Sequence, residues 1–507
     1  MAIRKFHGME PRGLLSTPRS LSFEGRFGRM FRTLPEAEHT EDELRALGEA
    51  IVSEAENPPT SEDEIDEEEN QGIDAGYTYL GQFIDHDLTF DPASSLQKQN
   101  DPNGLEDFRT PRFDLDNIYG RGPDDTPFMY DADGMHMLLG RPLTGNPNDA
   151  NTRDLARNTP FAGDKRAIIG DPRNDENVIV SQLQVAFIRF HNRMIKIMQM
   201  KDPQVTFAQV QQMVRWHYQW VVLHDFLPTI VGKKTVEKVL PHLKSGKSIY
   251  QDKPDLDFYH WKESPFMPVE FSVAAYRFGH SMVRPIYRLN TTLPNRQFIF
   301  DANEFLSLVG FREFPSTWAV DWDLFFNPGS APNTGINRTQ KSYKIDTALV
   351  HPLGNLPDPV ARVIKSLATR NLIRGLRMGL PSGQTVARYM HIPVIPDAEL
   401  KIGKATEEDT PTNKLLTDIS SNFADNAPLW YYVLAEAQQQ FKKDSTPITL
   451  GPVGGRIVTE VFVGLLLGDK HSFLSLNPAW TPMEEVMSGG EFKMIDLLHQ
   501  ASKDTDA

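Results

Sequence analysis

The stretch that most constrains this chain is Gly81-Gln82-Phe83-Ile84-Asp85-His86-Asp87-Leu88-Thr89-Phe90, which sets a histidine between two aspartates in an apolar frame. Phe83, Ile84, Leu88 and Phe90 favour burial. Burying three ionisable groups beside them is costly unless each finds a counter-charge, a hydrogen bond or a metal. Any fold the chain adopts must therefore supply one of two things here. Either the motif is a satisfied polar cluster in the core, or it faces a cation, a cofactor or a substrate.

The apolar periodicity around it is helical. Leu183, Phe187, Phe190, Met194 and Ile197 recur at three- and four-residue spacing, predicting a helix over 179–200. Thr206-Phe-Ala-Gln209 has the pattern of a capping box and opens a second helix to about 226. Further helices are expected over 41–54, 267–284, 358–377, 411–420, 427–442 and 455–467, with few and short strand signals. There is no internal repeat and no long linker, so the reading is one compact, mainly α unit with very little β. It comprises a main domain over 76–500, preceded by an extension over 1–75. That extension carries nine acidic residues and no basic one between Glu54 and Glu69, a pattern expected of a solvated loop.

Composition narrows the function classes. Lys plus Arg (53) against Asp plus Glu (68) gives a net charge of −15, so no general affinity for nucleic acid or anionic membranes is expected. Apolar runs such as Val461 to Leu467 are far too short to span a bilayer. The first residues, Met-Ala-Ile-Arg-Lys-Phe-His-Gly, lack an apolar core, so no secretory signal is expected; a cytoplasmic location is favoured, with non-classical secretion the alternative. With no cysteine, disulfides, thiolate zinc sites and thiolate haem ligation are excluded.

Three other stretches bear chemistry. In Thr110-Pro-Arg112-Phe-Asp114-Leu-Asp116-Asn-Ile-Tyr119-Gly120, oxygen-bearing residues alternate, as in a loop that curls around a hard cation such as Ca²⁺; Asp87 could contribute from elsewhere. The same spacing also suits an Asx-turn. His191, within Phe190-His-Asn-Arg193, reads as a structural histidine. On the helix expected over 267–284, Arg277 and His280 share a face one turn apart, a pairing that suits an anionic cofactor whose metal takes the histidine.

Taken together, these stretches resemble the animal-type haem peroxidases (the peroxidase–cyclooxygenase superfamily), in particular bacterial members, from residue 81 to about 384. The resemblance implies a single helical haem-peroxidase domain. It implies haem b, ester-linked through Asp85 and Glu176, with His86 as distal base and Arg173, in Gly170-Asp-Pro-Arg-Asn-Asp-Glu176, as distal arginine. Gln82 would line the pocket where a halide binds. His280 would ligate the iron, hydrogen-bonded to Asn371, with Arg277 and Arg374 near the haem propionates. Asp87, Thr110, Arg112, Asp114 and Asp116 would hold Ca²⁺. The implied activity is reduction of hydrogen peroxide through an oxoferryl intermediate, with oxidation of bromide, iodide, thiocyanate or small phenolic and aromatic donors.

Two departures qualify this. Asn177 stands where some animal members carry a methionine in a sulfonium link, so efficient chloride oxidation is not expected. The Arg374 segment lacks the R-x-R-D-H-G run of those members. Other readings are a fatty-acid dioxygenase of the same superfamily, a calcium-stabilised non-enzymatic helical protein, and a non-haem hydrolase using Asp85, His86 and His191. The dioxygenases carry a radical-forming tyrosine three residues before the proximal histidine. Here that place is Arg277, and Tyr276, about 100° round an α-helix, is expected to miss the haem face.

Overall fold

The computed structural model describes residues 27–56, 59–89, 109–260, 265–358, 360–441 and 445–504. Residues 1–26 of the expected extension, Phe90 and residue 442, where the expected 427–442 helix ends, lie outside them. Within the described residues the chain is mainly helical, and its strands pair only into two-stranded sheets.

Local chemistry sets the helix boundaries. α1 (Glu41–Ile51) starts at a capping box in which Thr40 and Glu43 exchange hydrogen bonds. α2 (Gly76–Leu88) carries the Asp-His-Asp motif and is buried almost all round. It begins on a glycine because a Cβ at Gly76 would lie 2.3 Å from the Phe326 ring. α3 (Val178–Lys201) is capped by Asn177, whose side chain accepts from the Ile179 amide. α4 (Phe207–Val221) opens at the Thr206–Gln209 box and runs through a π-turn, Val222–Phe226, into α5 (Leu227–Val231). α6 (Leu367–Arg377) starts later than 358 because Ser366 caps it, its hydroxyl accepting from the Thr369 amide. α7 (Leu429–Gln438) and α8 (Pro452–Gly468) match their expected positions, while the helix expected over 411–420 shrinks to Leu416–Ile419. α9 (Met494–Ser502) packs on α3, as α1 packs on α6.

Aromatic packing fixes the motif helix. Phe83 stacks on Phe187 of α3 at 4.7 Å, and Tyr218 of α4 meets both rings edge-on. α2, α3 and α4 thus converge directly beside His86.

Two expectations are corrected. Residues 267–284 are not an α-helix but a π-turn, Glu270–Ala274, followed by a 3₁₀ turn, Ala275–His280. The break falls at Ala274 (φ −126°, ψ −74°), while the Glu270 carboxylate is anchored on the Met30 and Phe31 amides. Residues three apart eclipse in a 3₁₀ turn, so Arg277 and His280 still share a face. Nor is the acidic run wholly a solvated loop. Glu62, Asp66 and Glu69 are buried, and Glu69 opens strand β1 (Glu69–Asp74), which pairs antiparallel with β2 (Lys341–Tyr343). Glu69 accepts from Arg284 at 2.7 Å and Arg338 at 2.6 Å, and Tyr343 donates to Asp66 at 2.6 Å. Charges from distant segments thus absorb the acids into the core.

Replacing Glu69 by Gln strips the counter-charge from two buried guanidiniums. It should cost about 3–5 kcal/mol in denaturant unfolding, whereas Gln at exposed Glu64 should cost under about 0.5 kcal/mol.

Candidate active site

α2 and the 275–280 turn face a shared cavity with about 1130 Å³ of empty space, its mouth included. Gln82, Asp85 and His86 line it from α2, Glu176 from the loop before α3, and Arg277 and His280 from the 3₁₀ turn. Ile299, Phe300, Leu353 and Leu356 supply apolar walls.

His86 is 4% exposed, and burial together with the nearby Arg173 cation pushes its pKa down to about 4, so it is neutral at ordinary pH. Its Nδ1 lies 2.7 Å from Asn174 Oδ1, while Asn174 Nδ2 donates to Gln184 Oε1 at 2.7 Å. Gln184 thereby fixes which way the Asn174 amide faces. Nδ1 must carry the proton, and Nε2 keeps its lone pair. Nε2 lies 3.6 Å from Glu176 Oε1, an oxygen that accepts from the Gln82 amide. Burial raises the Glu176 carboxyl to about 7.

Arg173 lies beside His86 but is not among the cavity-lining residues. Its guanidinium docks on Asp171 (Nη2 to Oδ2, 2.8 Å) and donates to the His86 carbonyl at 3.0 Å and the Thr89 carbonyl at 2.5 Å. It braces the backbone that presents the imidazole.

On the other side, His280 Nδ1 meets the Asn371 amide of α6 at 2.7 Å. The amide nitrogen Nδ2 is the atom that faces Nδ1, so Asn371 donates there; only with the amide turned over, Oδ1 toward the ring, would Nδ1 keep its proton and Nε2 be free. Burial, and then Arg277, push His280 down to about 3. Arg277 Nη1 lies 3.4 Å from Asp85, and its Nε donates to the Ser272 carbonyl. Arg374 is half-buried on α6, one turn after Asn371, and is not a lining residue. Tyr276 lines the cavity, its phenol donating to the Gly81 carbonyl at 3.3 Å.

Asp87, Asp114 and Asp116 converge, each offering a carboxylate oxygen within 4.8 Å of the others. Leu115, in the left-handed region at φ 56°, turns the loop between the last two. Both Asp87 oxygens are buried without a hydrogen bond. Burial, then the other two carboxylates, raise Asp87 well above the usual range, and burial raises Asp116 to about 8. Thr110 donates to Asp114 at 2.7 Å. The Arg112 side chain turns away to Asp469 (3.5 Å), which leaves its backbone carbonyl for the loop. Such a cluster can hold a hard divalent cation.

Sequence reasoning missed Asn174, Gln184, Asp171 and Arg109. Asn174 and Asp171 lay inside the Gly170–Glu176 motif, while Gln184 and Arg109 carried no signal. His191 is structural, as expected: its Nε2 meets the Met135 carbonyl and its Nδ1 the Tyr119 hydroxyl.

A family profile described as animal haem peroxidase matches residues 99–482, and the chain belongs to that family. It is 23% identical over 414 residues to the peroxidasin homolog pxn-2 of Caenorhabditis elegans, covering 76% of this chain and 27% of that protein. It is 23% identical over 278 residues to the eosinophil peroxidase of Homo sapiens, covering 53% of this chain and 35% of that one. The chain thus spans well under half the length of these relatives. In fold it is similar to peroxidase A of Dictyostelium discoideum (TM-score 0.61, 16% identity, 95% and 94% of the two chains). It is also similar to the fatty acid alpha-dioxygenase of Oryza sativa (TM-score 0.53, 13% identity, 93% and 79%). Among the described residues, no helix is long and apolar enough to cross a membrane.

The acidic cluster has a signed consequence. The cation-free fold holds the Asp116 proton up to about pH 8, above the usual carboxylate value of 3.8, so stability is lost as pH rises through that window. In chelator at pH 8, Asp116→Asn should raise the melting temperature; with saturating calcium it should lower it. The two scans, run by calorimetry, must have opposite signs.

Proposed function

We propose that this chain is a haem-dependent peroxidase that reduces hydrogen peroxide and oxidises small anionic donors (bromide, iodide, thiocyanate) or small phenolic and aromatic donors. One observation carries this reading. Two neutral histidines line one cavity, and each has its Nδ1 within hydrogen-bond distance of an asparagine amide, so that each turns Nε2 away from that contact.

The residues present fit haem b. His280 would hold the iron, Asp85 and Glu176 would be ester anchors, and Arg277 and Arg374 would lie toward the propionates. The apolar walls suit a porphyrin face. When bound, haem supplies an iron that binds peroxide and takes up its oxidising equivalents. The chain's own residues do the rest. His86 Nε2 takes the first peroxide proton and returns it to the departing oxygen, a contribution of about 10²–10⁴-fold. Arg173, docked on Asp171 and on the His86 and Thr89 carbonyls, would hold His86 in position; to act on peroxide as the distal arginine its guanidinium would have to turn into the cavity. Gln82 holds the Glu176 side chain beside His86. With its amide turned so that Oδ1 faces Nδ1, Asn371 would be a neutral acceptor and give His280 less imidazolate character than a carboxylate would, which favours a higher reduction potential. Asp87, Asp114, Asp116, the Thr110 hydroxyl and the Arg112 carbonyl would hold Ca²⁺; the orphaned Asp87 carboxylate, adjacent to His86, supports this. Its role would be rigidity.

A dioxygenase reading has Tyr276 on the cavity wall in its favour. Oxygen uptake with a long-chain fatty acid, without peroxide, would move the assignment there.

The test is a visible spectrum of the pure protein, before and after peroxide in a stopped-flow instrument. A Soret band that shifts within milliseconds is expected, with a rate flat at neutral pH and falling only as pH approaches 4. His86→Ala should keep the band and lose about 10²–10⁴-fold in rate. A native rate in that variant, or no band with haem supplied, overturns the reading. For the ester links, acid–organic extraction should leave haem on the native chain and release it from Asp85→Val/Glu176→Gln; equal release from both would remove the covalent assignment.

A further inference from the structure

Three tyrosines line the cavity, Tyr77, Tyr79 and Tyr276, and they differ in what meets the phenol. Tyr276 donates to the Gly81 carbonyl, and Tyr79 lies against Tyr287. Neither neighbour is a base that keeps a proton near neutrality. Tyr77 donates to Asp225 Oδ1 at 2.7 Å. The other Asp225 oxygen accepts from the Met494 amide at the start of α9, so the 6%-exposed carboxylate is held in one orientation. Burial raises it to about 6, which puts its proton affinity in a useful range. Its backbone lies on the π-turn Val222–Phe226, a rare winding that is frequent at functional sites. Tyr79 and Tyr276 are buried, at 2% and 6% exposure, whereas Tyr77 is only half-buried.

We propose that Tyr77 is a redox residue, with Asp225 as its proton acceptor; this rests on the haem peroxidase reading. The phenol O–H bond breaks. Its electron reduces the peroxide-oxidised cofactor by one equivalent, and its proton passes to Asp225 Oδ1. A neutral tyrosyl radical and a neutral carboxylic acid result, with no net charge left in the buried pair. A one-electron donor, such as a phenol, then returns the electron and Asp225 returns the proton. Tyr77 stands nine residues before His86 on α2, about 13 Å along the helix. An oxidising equivalent stored there is open to donors too large to enter beside His86.

The experiment is freeze-quench electron paramagnetic resonance on the haem-loaded full chain mixed with hydrogen peroxide. A tyrosyl signal is expected in the native protein and in Tyr79→Phe and Tyr276→Phe, and its loss in Tyr77→Phe. Asp225→Asn keeps an oxygen for the Met494 amide but removes the base; it should slow radical formation while leaving the peroxide-induced Soret shift at its native rate. A purely structural Tyr77–Asp225 staple would not move the resonance signal. A native-size signal in Tyr77→Phe, or a native protein that consumes peroxide with no tyrosyl signal, overturns the proposal alone. A native protein with no Soret response sinks the peroxidase reading first, and the relay with it.

Discussion

The buried Asp171 carboxylate is the tie on which the site's geometry depends. It is fully buried and accepts from two guanidiniums at once, Arg109 at 2.6 Å and Arg173 at 2.8 Å. Arg109 reaches on to Asp116, and Arg173 to the carbonyls of His86 and Thr89. The loop that carries Asp114 and Asp116, the loop that carries Glu176 and the C-terminal end of α2 are thereby one electrostatic unit. Gly170 permits the approach, because a Cβ there would lie 2.6 Å from the Asp116 carbonyl. The two arginines outweigh the cost of burial, holding Asp171 below the usual carboxylate range.

The contrast with the neighbouring acids is informative. Asp171, Asp175 and Glu69 each face arginine. Asp87 has no such cover, although it is as deeply buried and adjacent to His86 in the chain. Asp225 and Glu270 are also buried without an ion-pair partner but accept amide hydrogen bonds, whereas neither Asp87 oxygen has a hydrogen bond.

Much of this was legible in the sequence, for identifiable reasons. α3 and the capping boxes of α1 and α4 are local and strongly periodic, so neighbouring residues determine them. The Asp-His-Asp motif carried its own warning, since ionisable groups in an apolar frame must be compensated. The His280–Asn371 contact joins residues 91 apart and came from resemblance to a family, not from spacing. What stayed hidden depends on long-range contacts. The 267–284 segment has helical periodicity, but it winds as π and 3₁₀ turns, with the Glu270 carboxylate held by the distant Met30 and Phe31 amides. The acids of 54–69 read as solvated because their arginines, Arg284, Arg296 and Arg338, are more than two hundred residues away. Gln184, which decides the tautomer of His86, lies on a helix face where a glutamine has no periodic signature.

The amide backing of His86 is closed at its far end. From Nδ1 the hydrogen bonds run to Asn174 and to Gln184, whose Nε2 donates to the Asn117 carbonyl at 3.5 Å. Amides and carbonyls neither release nor capture protons at ordinary pH, so nothing drains through this route to bulk water. A proton gained at Nε2 has to leave by the face it entered. The imidazole can therefore exchange a proton at Nε2 only with the cavity, not through its backing amides.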